Sequence, residues 1–271
     1  MAKQVLKEKN RDSALDRILD AAVVIIQKQG LLGFSMAEIA KLAGVSRAML
    51  YSHFSNKDSL FLSLYHRQAL QELSLIKETQ HFNTGKIEMI LATNIVTVMF
   101  YQHLNLKNPF TFAMCNFSLW SQAEPRLIAS LERTFNEIMT VYEEPWMAVR
   151  ESDFINGDSS SLEEVKEMLL YYQRGSAVNK RNAMLRKQGR NLKTEQICQN
   201  MLSIVLSLPW IEAHKNVDLN QIMASCRSRI DLSISKVTTN VTRKYGSTEA
   251  FVQGEVQIKT GLQQFLEDNQ H

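Results

Sequence analysis

Residues 35–60 constrain the fold of this chain more than any other stretch, because helix starts and stops follow one another there at short intervals. The segment reads SMAEIAKLAGVSRAMLYSHFSNKDSL. Ser35 and Glu38 form the Ser-x-x-Glu pattern that caps the start of a helix, and Gly44 supplies the positive φ that a tight turn requires. Ser46 is placed to cap the next helix. The pattern predicts two short helices joined by a tight turn, with a third helix directly after them.

This layout is typical of a helix-turn-helix whose second helix enters a DNA major groove. An ordinary pair of packed helices would explain the apolar positions equally well. It would not explain why the exposed face of the second helix collects Arg47, Tyr51, Ser52 and His53, with Lys57 just beyond. Such donors suit phosphate oxygens and base edges. The stretch therefore predicts a DNA-binding element.

The rest of the chain predicts helices. Gly and Pro are scarce, 10 and 4 of 271 residues, and apolar residues recur at three- and four-residue spacing. We expect helices over 13–29, 36–42, 47–54, 57–77, 86–103, 110–121, 125–142, 161–175, 194–212, 218–245 and 248–266. Two stretches read as linkers, the polar 156–161 and the acid-free, basic 174–193. The predicted fold is all-α, with a three-helix domain over 1–66 and a larger helical domain over 67–271.

The charge distribution supports this division. Residues 1–70 hold ten Lys or Arg and six Asp or Glu, whereas the remainder holds twenty-one basic and twenty-two acidic residues. A basic segment joined to a near-neutral body fits a DNA-reading domain attached to a second domain of another role.

Several classes of protein are disfavoured. Cys115, Cys198 and Cys226 are far apart, without the spacing of zinc ligands, and predict buried thiols. No nucleotide-binding glycine loop, HExxH pair or nucleophile motif occurs, so we expect neither an enzyme nor a bound metal or cofactor. The polar N-terminus and the interrupted apolar run 87–104 predict a soluble, cytoplasmic protein with no membrane partner.

At these residues the sequence resembles a known family. The resemblance extends over about residues 13–65, and its fixed positions are Ile39-Ala40-x-x-Ala43-Gly44-Val45-Ser46-x-x-x-Leu50-Tyr51-x-His53-Phe54-x-x-Lys57-x-x-Leu60. This run resembles the signature of the TetR family of transcriptional regulators. The resemblance implies a homodimeric, ligand-responsive regulator, usually a repressor, whose larger helical domain binds the ligand and dimerises.

The resemblance also implies individual roles in DNA binding. The positions matched are Ser46, His53 and Lys57 for phosphate contacts, Arg47 and Tyr51 for bases, Ala48 for a thymine methyl, and Ser52 where an aromatic reader often stands. Because Ser52 is small, base readout falls mainly to Arg47, whose guanidinium suits guanine O6 and N7. Met49 replaces the usual small or hydroxyl residue, which removes one phosphate contact.

The partners expected from this reading are a pseudo-palindromic DNA operator, a second copy bound through helices near 195–212 and 218–245, and a small apolar effector. Candidate effector contacts lie in the aromatic and Met-rich middle of the chain: Phe100, His103, Phe112, Phe117, Trp120, Met139 and Tyr142. A plain core would show the same residue types. The alternative function is a DNA-binding scaffold that recruits a protein and senses no small molecule.

Overall fold

The computed structural model describes residues 2–80, 85–103, 117–150, 154–156, 160–179, 183–190 and 192–245. Contacts divide the chain into two compact units. Of the described residues, the first unit comprises 2–65, 117–124 and 234–245, and the second comprises 66–80, 85–103, 125–150, 154–156, 160–179, 183–190 and 192–233.

The all-α prediction is confirmed. The helices are α1 (Ala2–Gly33), α2 (Met36–Ala43), α3 (Arg47–His53), α4 (Lys57–Thr79), α5 (Lys86–His103), α6 (Phe117–Ser121), α7 (Pro125–Arg150), α8 (Ser160–Asn179), α9 (Ala183–Lys187), α10 (Thr194–Val205) and α11 (Leu219–Tyr245). A short 3₁₀ turn spans Glu212–His214. Within these segments the only extended pairing is an isolated bridge between Ile155 and Trp210.

In the first unit, α1 buries the predicted apolar stripe, including Ile18, Ala22 and Ile26. The helix begins earlier than predicted, because residues 2–12 contain good helix formers and no stop signal. Gly30 interrupts the helix with φ 78°, directly after the predicted helix end at residue 29, but helical turns resume as far as Gly33.

In the second unit, α5 is the central helix. Every residue from 90 to 100 is buried, and α7, α8 and α10 pack around it. An amphipathic helix would keep one polar face in water, so this continuous burial explains why α5 is apolar on nearly all sides.

Three predicted helix ends in this unit are wrong. Helix α7 continues past Tyr142 to Arg150, and α8 continues through Gly175 to Asn179. A glycine inside a helix costs only about 1 kcal/mol, and the packing of α8 against α5 and α10 outweighs that cost. Helix α10 ends at Val205 rather than at 212.

The early end of α10 follows from the packing of Trp210. Its indole Nε1 donates a hydrogen bond of 2.7 Å to the backbone oxygen of Val205, one of the last carbonyls of the helix. Trp210 is 1% exposed. Burial of the Trp210 ring and the hydrogen bond to the Val205 carbonyl together stabilise a turn at this point, so the helix does not continue.

The basic stretch 174–193 is not simply a connector. Residues 174–179 complete α8, and 183–187 form α9. The predicted helix 248–266 and the predicted helical residues 110–116 lie outside the described residues, as do residues 157–159 of the predicted linker. Residues 160 and 161 of that linker already belong to α8.

Candidate nucleic-acid interface and polar core

The turn between α2 and α3 is built by the residues that the sequence singled out. Ser35 Oγ accepts a hydrogen bond from the Glu38 amide at 3.2 Å, and the Ser35 amide donates to Glu38 Oε2 at 3.1 Å. Hydrogen bonds from Ser35 and then Gln29 hold the pKa of the Glu38 carboxyl below its ordinary value. Gly44 adopts the left-handed conformation, φ 62° and ψ 39°. The predicted capping box and turn are confirmed.

Helix α3 is held in the first unit by few side chains. Ser46 caps it by accepting a hydrogen bond from the Met49 amide at 3.1 Å. Leu50 is fully buried, and Phe54 directly after the helix is 2% exposed. Leu42 on α2 is apolar but 44% exposed. The buried residues of α2 are Met36, Ile39, Ala40 and Ala43, which share another face of the helix.

The remaining face of α3 is open to solvent. Its exposed residues are Arg47, Ala48, Met49, Tyr51 and Ser52, and His53 is half-buried. Tyr51 is 54% exposed. The Ser52 hydroxyl donates to the Met49 carbonyl at 2.7 Å. Six of the seven predicted DNA contacts therefore share one short helix and its cap.

Lys57, the seventh predicted contact, has an internal role that the sequence did not reveal. Its Nζ donates a hydrogen bond of 2.6 Å to the Phe34 carbonyl and lies 4.7 Å from the centroid of the Phe34 ring. The ammonium carries three N–H donors, and one of them is used here. Lys57 thus fastens the start of α4 to the segment between α1 and α2.

Asn56 caps α4 by accepting a hydrogen bond from the Ser59 amide at 2.7 Å. Its Nδ2 also donates to the Gln122 carbonyl at 3.3 Å. Trp120 belongs to this unit as well, with its ring edge-on to Tyr65 at 6.5 Å between centroids. A predicted effector contact therefore packs in the same unit as α3.

The other predicted effector contacts are divided. Phe100 and Tyr142 are buried in the second unit, and Met139 is half-buried there. Phe112 lies outside the described residues, as do the side chains of His103 and Phe117.

Tyr142 belongs to a buried chain of hydrogen bonds. The Gln173 amide nitrogen lies 2.7 Å from the Tyr142 hydroxyl, which lies 2.6 Å from Thr97 Oγ1. Thr97 Oγ1 in turn donates to the Thr93 carbonyl at 3.2 Å. Burial, followed by the charge of Glu72, raises the pKa of the Tyr142 phenol.

Glu72 on α4 is the charged member of this region. It is 5% exposed, and its Oε2 accepts a hydrogen bond of 2.6 Å from the Tyr101 hydroxyl. Burial raises the pKa of the Glu72 carboxyl above its ordinary value, although the Tyr101 bond and the charge of Arg174 oppose that change. Residues from α4, α5, α7 and α8 thus form what we call the polar core: Glu72, Thr97, Tyr101, Tyr142 and Gln173.

Four residues of the polar core were absent from the predicted site, and Tyr142 alone was included. One signal was available for Glu72. It falls on the same helical face as Ala69, Leu73 and Ile76, which are all buried. A carboxylate on an apolar face is uncommon unless it is paired or functional.

Other site types find limited support in the described part of the chain. Cys198 and Cys226 are buried free thiols, as expected, and burial raises the pKa of Cys226 to about 12. Cys115 lies outside the described residues. Among the residues that the structure covers, no group of His, Cys, Asp or Glu is arranged to hold a metal ion, and no helix could span a membrane.

Comparison with known proteins finds a family match within the first unit. The family model described as "Bacterial regulatory proteins, tetR family" matches residues 18–64. AcrR of Shigella flexneri is 44% identical over 72 residues, which cover 27% of this chain and 28% of AcrR. QacR of Staphylococcus aureus is 26% identical over 144 residues, covering 53% of this chain and 72% of QacR.

The similarity of fold extends further than these sequence matches. The reduced form of E. coli NemR superposes with a TM-score of 0.53 at 14% identity, over 73% of this chain and 98% of NemR. For AcrR, as for other curated relatives of high local identity, the chain spans about a third of the relative's length or less. The family-model match lies between α1 and the first part of α4, and NemR indicates a shared fold alone.

Proposed function

Because the chain belongs to the TetR family of bacterial regulatory proteins, we propose that it is a sequence-specific DNA-binding transcriptional regulator and not an enzyme. One observation carries this proposal: α3 is anchored by Leu50 and presents Arg47, Ala48, Tyr51 and Ser52 to solvent. Such a helix can place its exposed face in a major groove while its buried face stays packed against the rest of the first unit. A regulator of this kind would act in the cytoplasm.

Within this interface we assign base contacts to Arg47 and Tyr51, with Ala48 beside a thymine methyl. Arg47 is exposed at the start of α3, where a guanidinium can form the bidentate contact to guanine. Ser46, His53 and Lys57 are assigned to phosphates. The Ser46 oxygen accepts the capping bond, so its hydroxyl hydrogen remains available to a phosphate oxygen.

We further propose that the chain acts as a homodimer on a pseudo-palindromic operator, with α10 and α11 at the interface. On α11 a shallow groove is lined by Ala224, Arg227, Ser228, Asp231 and Leu232. Small residues allow close approach of a partner helix, charges of both signs suit two-fold pairing, and Leu232 is 58% exposed. The molar mass of the protein in solution, by light scattering, tests this; a monomer at micromolar concentration would refute it.

The regulatory part of the proposal is that an effector binds in the second unit and changes DNA affinity. Helix α4 is continuous from Lys57 to Thr79 and carries residues of both units. An effector that favours one position of α4 would alter the separation of the two recognition helices of a dimer. Such a switch requires different effector affinities in the two states, typically by about 1–3 kcal/mol.

Protection of DNA is the direct test of this function. The purified chain should protect an intergenic fragment with two half-sites about 34 Å apart, or one helical turn, and a metabolite should release it. Protection that no metabolite relieves would favour the scaffold alternative. Failure to protect any fragment at low salt would overturn the proposal as a whole.

A further inference from the structure

The second unit keeps polar groups where the surrounding helices are otherwise apolar. Thr97 and Gln173 are 4% and 1% exposed, and the aliphatic side chains of α5 around them are equally buried. Buried polar groups are normally fully hydrogen-bonded, since an unpaired one is costly. Any buried polar atom of the polar core that has no hydrogen-bond partner therefore needs an explanation.

Gln173 lacks a partner for its carbonyl oxygen. Thr97 donates to the Thr93 carbonyl, so the Tyr142 hydroxyl donates to Thr97 and accepts from the Gln173 amide nitrogen. That order fixes the orientation of the amide. Gln173 Oε1 is then buried, with no hydrogen-bond donor among the residues described. The polar core is short of a donor at this atom.

Glu72 presents a second acceptor in the same region. It is close enough to Tyr142 to raise the pKa of that phenol, and Gln173 binds the same phenol. Burial of the carboxylate outweighs both the Tyr101 hydrogen bond and the charge of Arg174. Burial therefore disfavours the ionised form of Glu72, and a positive charge placed beside the carboxylate would favour it.

We propose that the polar core binds a small amine, which donates N–H groups to the Glu72 carboxylate and to Gln173 Oε1. This rests on the proposed function, in which the second unit takes an effector. It replaces the apolar effector expected from sequence by a polar, hydrogen-bond-donating one. Tyr101 and Tyr142 also place two aromatic side chains in the polar core, and aromatic rings attract a nearby cation. An acid is disfavoured because it would face Glu72.

The position of Glu72 also connects the ligand with regulation. Glu72 lies on α4, the helix that begins at Lys57. An amine that pairs with Glu72 stabilises the ionised carboxylate and thereby acts directly on α4. No contact between the two units is needed for this step, because a single helix carries both residues.

The test uses the full chain and three probes of one shape: benzylamine, benzyl alcohol and benzoate. Isothermal titration calorimetry and the melting temperature are measured with each at neutral pH. Benzylamine should bind saturably and raise the melting temperature, benzyl alcohol should bind more weakly, and benzoate should not bind. Glu72→Gln, which keeps the size of the side chain but removes its charge, should weaken benzylamine binding by about tenfold or more. Glu137→Gln on the exposed part of α7 is the matched control and should leave binding unchanged.

Three results would overturn the inference. These are equal binding of all three probes, unchanged benzylamine affinity in Glu72→Gln, and no binding of benzylamine at millimolar concentration. In the last case a buried water on Gln173 Oε1 is the remaining explanation. DNA protection is measured on the same preparation. Intact protection without amine binding refutes this inference alone, whereas amine binding without DNA protection refutes the proposed function.

Discussion

The recognition helix and the polar core use similar side chains in opposite environments. On α3 the polar groups face water, and among the described residues Ser46 and Ser52 form hydrogen bonds within their own helix or its cap. In the polar core, Tyr101 bonds Glu72 from a neighbouring helix, and Gln173 bonds Tyr142 from another. Exposed polar groups remain available to a large partner, whereas buried ones fix the packing of helices and can accept only a small molecule.

This difference separates binding from stability. Substituting an exposed reader on α3 should change DNA binding without changing the free energy of unfolding. Substituting a member of the polar core should do the reverse. The following substitutions test the two halves of the comparison, beginning with the largest expected effect.

Leu50→Ala should destabilise the first unit by about 2–5 kcal/mol, because it leaves a cavity beneath the only fully buried side chain that the structure assigns to α3. Urea denaturation gives the free energy of unfolding. Leu42→Ala removes the same atoms from a 44% exposed position and should cost under about 0.5 kcal/mol. Equal losses in the two variants would mean that α3 is not anchored through Leu50.

Arg47→Ala should reduce discrimination between the protected site and random DNA by about 1–3 kcal/mol. The thermal stability should be unchanged, since Arg47 is exposed. Fluorescence anisotropy on both duplexes gives the ratio of the affinity for the protected site to the affinity for random DNA. Lys28→Ala, which removes one exposed charge from α1, is the control. If Arg47→Ala weakens both duplexes equally, the guanidinium binds phosphate and not a base.

Tyr142→Phe should destabilise the second unit by about 1–2 kcal/mol, because the Gln173 amide nitrogen loses its acceptor in the core. Preference for the protected DNA should be retained. Tyr171→Phe, at a 68% exposed position on α8, is the matched control and should be neutral. Equal stability of both variants would show that the phenol hydroxyl does not support the packing of α7 against α8.

Lys57→Ala should have the smallest effect on DNA affinity, and it should also lower the stability of the fold. Binding to specific and random DNA should weaken together, and the slope of log affinity against log salt should flatten by about one unit. The lost bond to the Phe34 carbonyl should also cost about 0.5–1.5 kcal/mol of stability. Lys77→Ala on the same helix is the control; an unchanged salt slope in Lys57→Ala would leave Lys57 with its structural role alone.

The same comparison explains what the sequence could and could not predict. The capping of Ser35 and Ser46 and the turn at Gly44 depend on neighbours three or four residues away, so local pattern was sufficient. The polar core joins Glu72, Thr97, Tyr142 and Gln173 across about a hundred residues. No local rule indicates which polar residues will meet at that separation.

The errors at helix ends have a related cause. Gly175 is a stop by propensity, but packing of its neighbours continued the helix. Trp210 ended α10 through a bond to Val205 that depends on tertiary placement. For Lys57, the sequence motif predicted a place at the DNA interface. It did not predict the hydrogen bond to the Phe34 carbonyl, because Phe34 lies twenty-three residues away.

If α3 reads sequence, the protein must bind its own site more tightly than random DNA, and the ratio of these two affinities measures this directly. The affinity of the intact chain for the fragment that it protects is divided by its affinity for a random duplex of equal length, at physiological salt. We expect a ratio of about 10³ or more. A ratio near one, with binding lost as salt rises, would show that the exposed face of α3 binds only phosphates and does not read sequence.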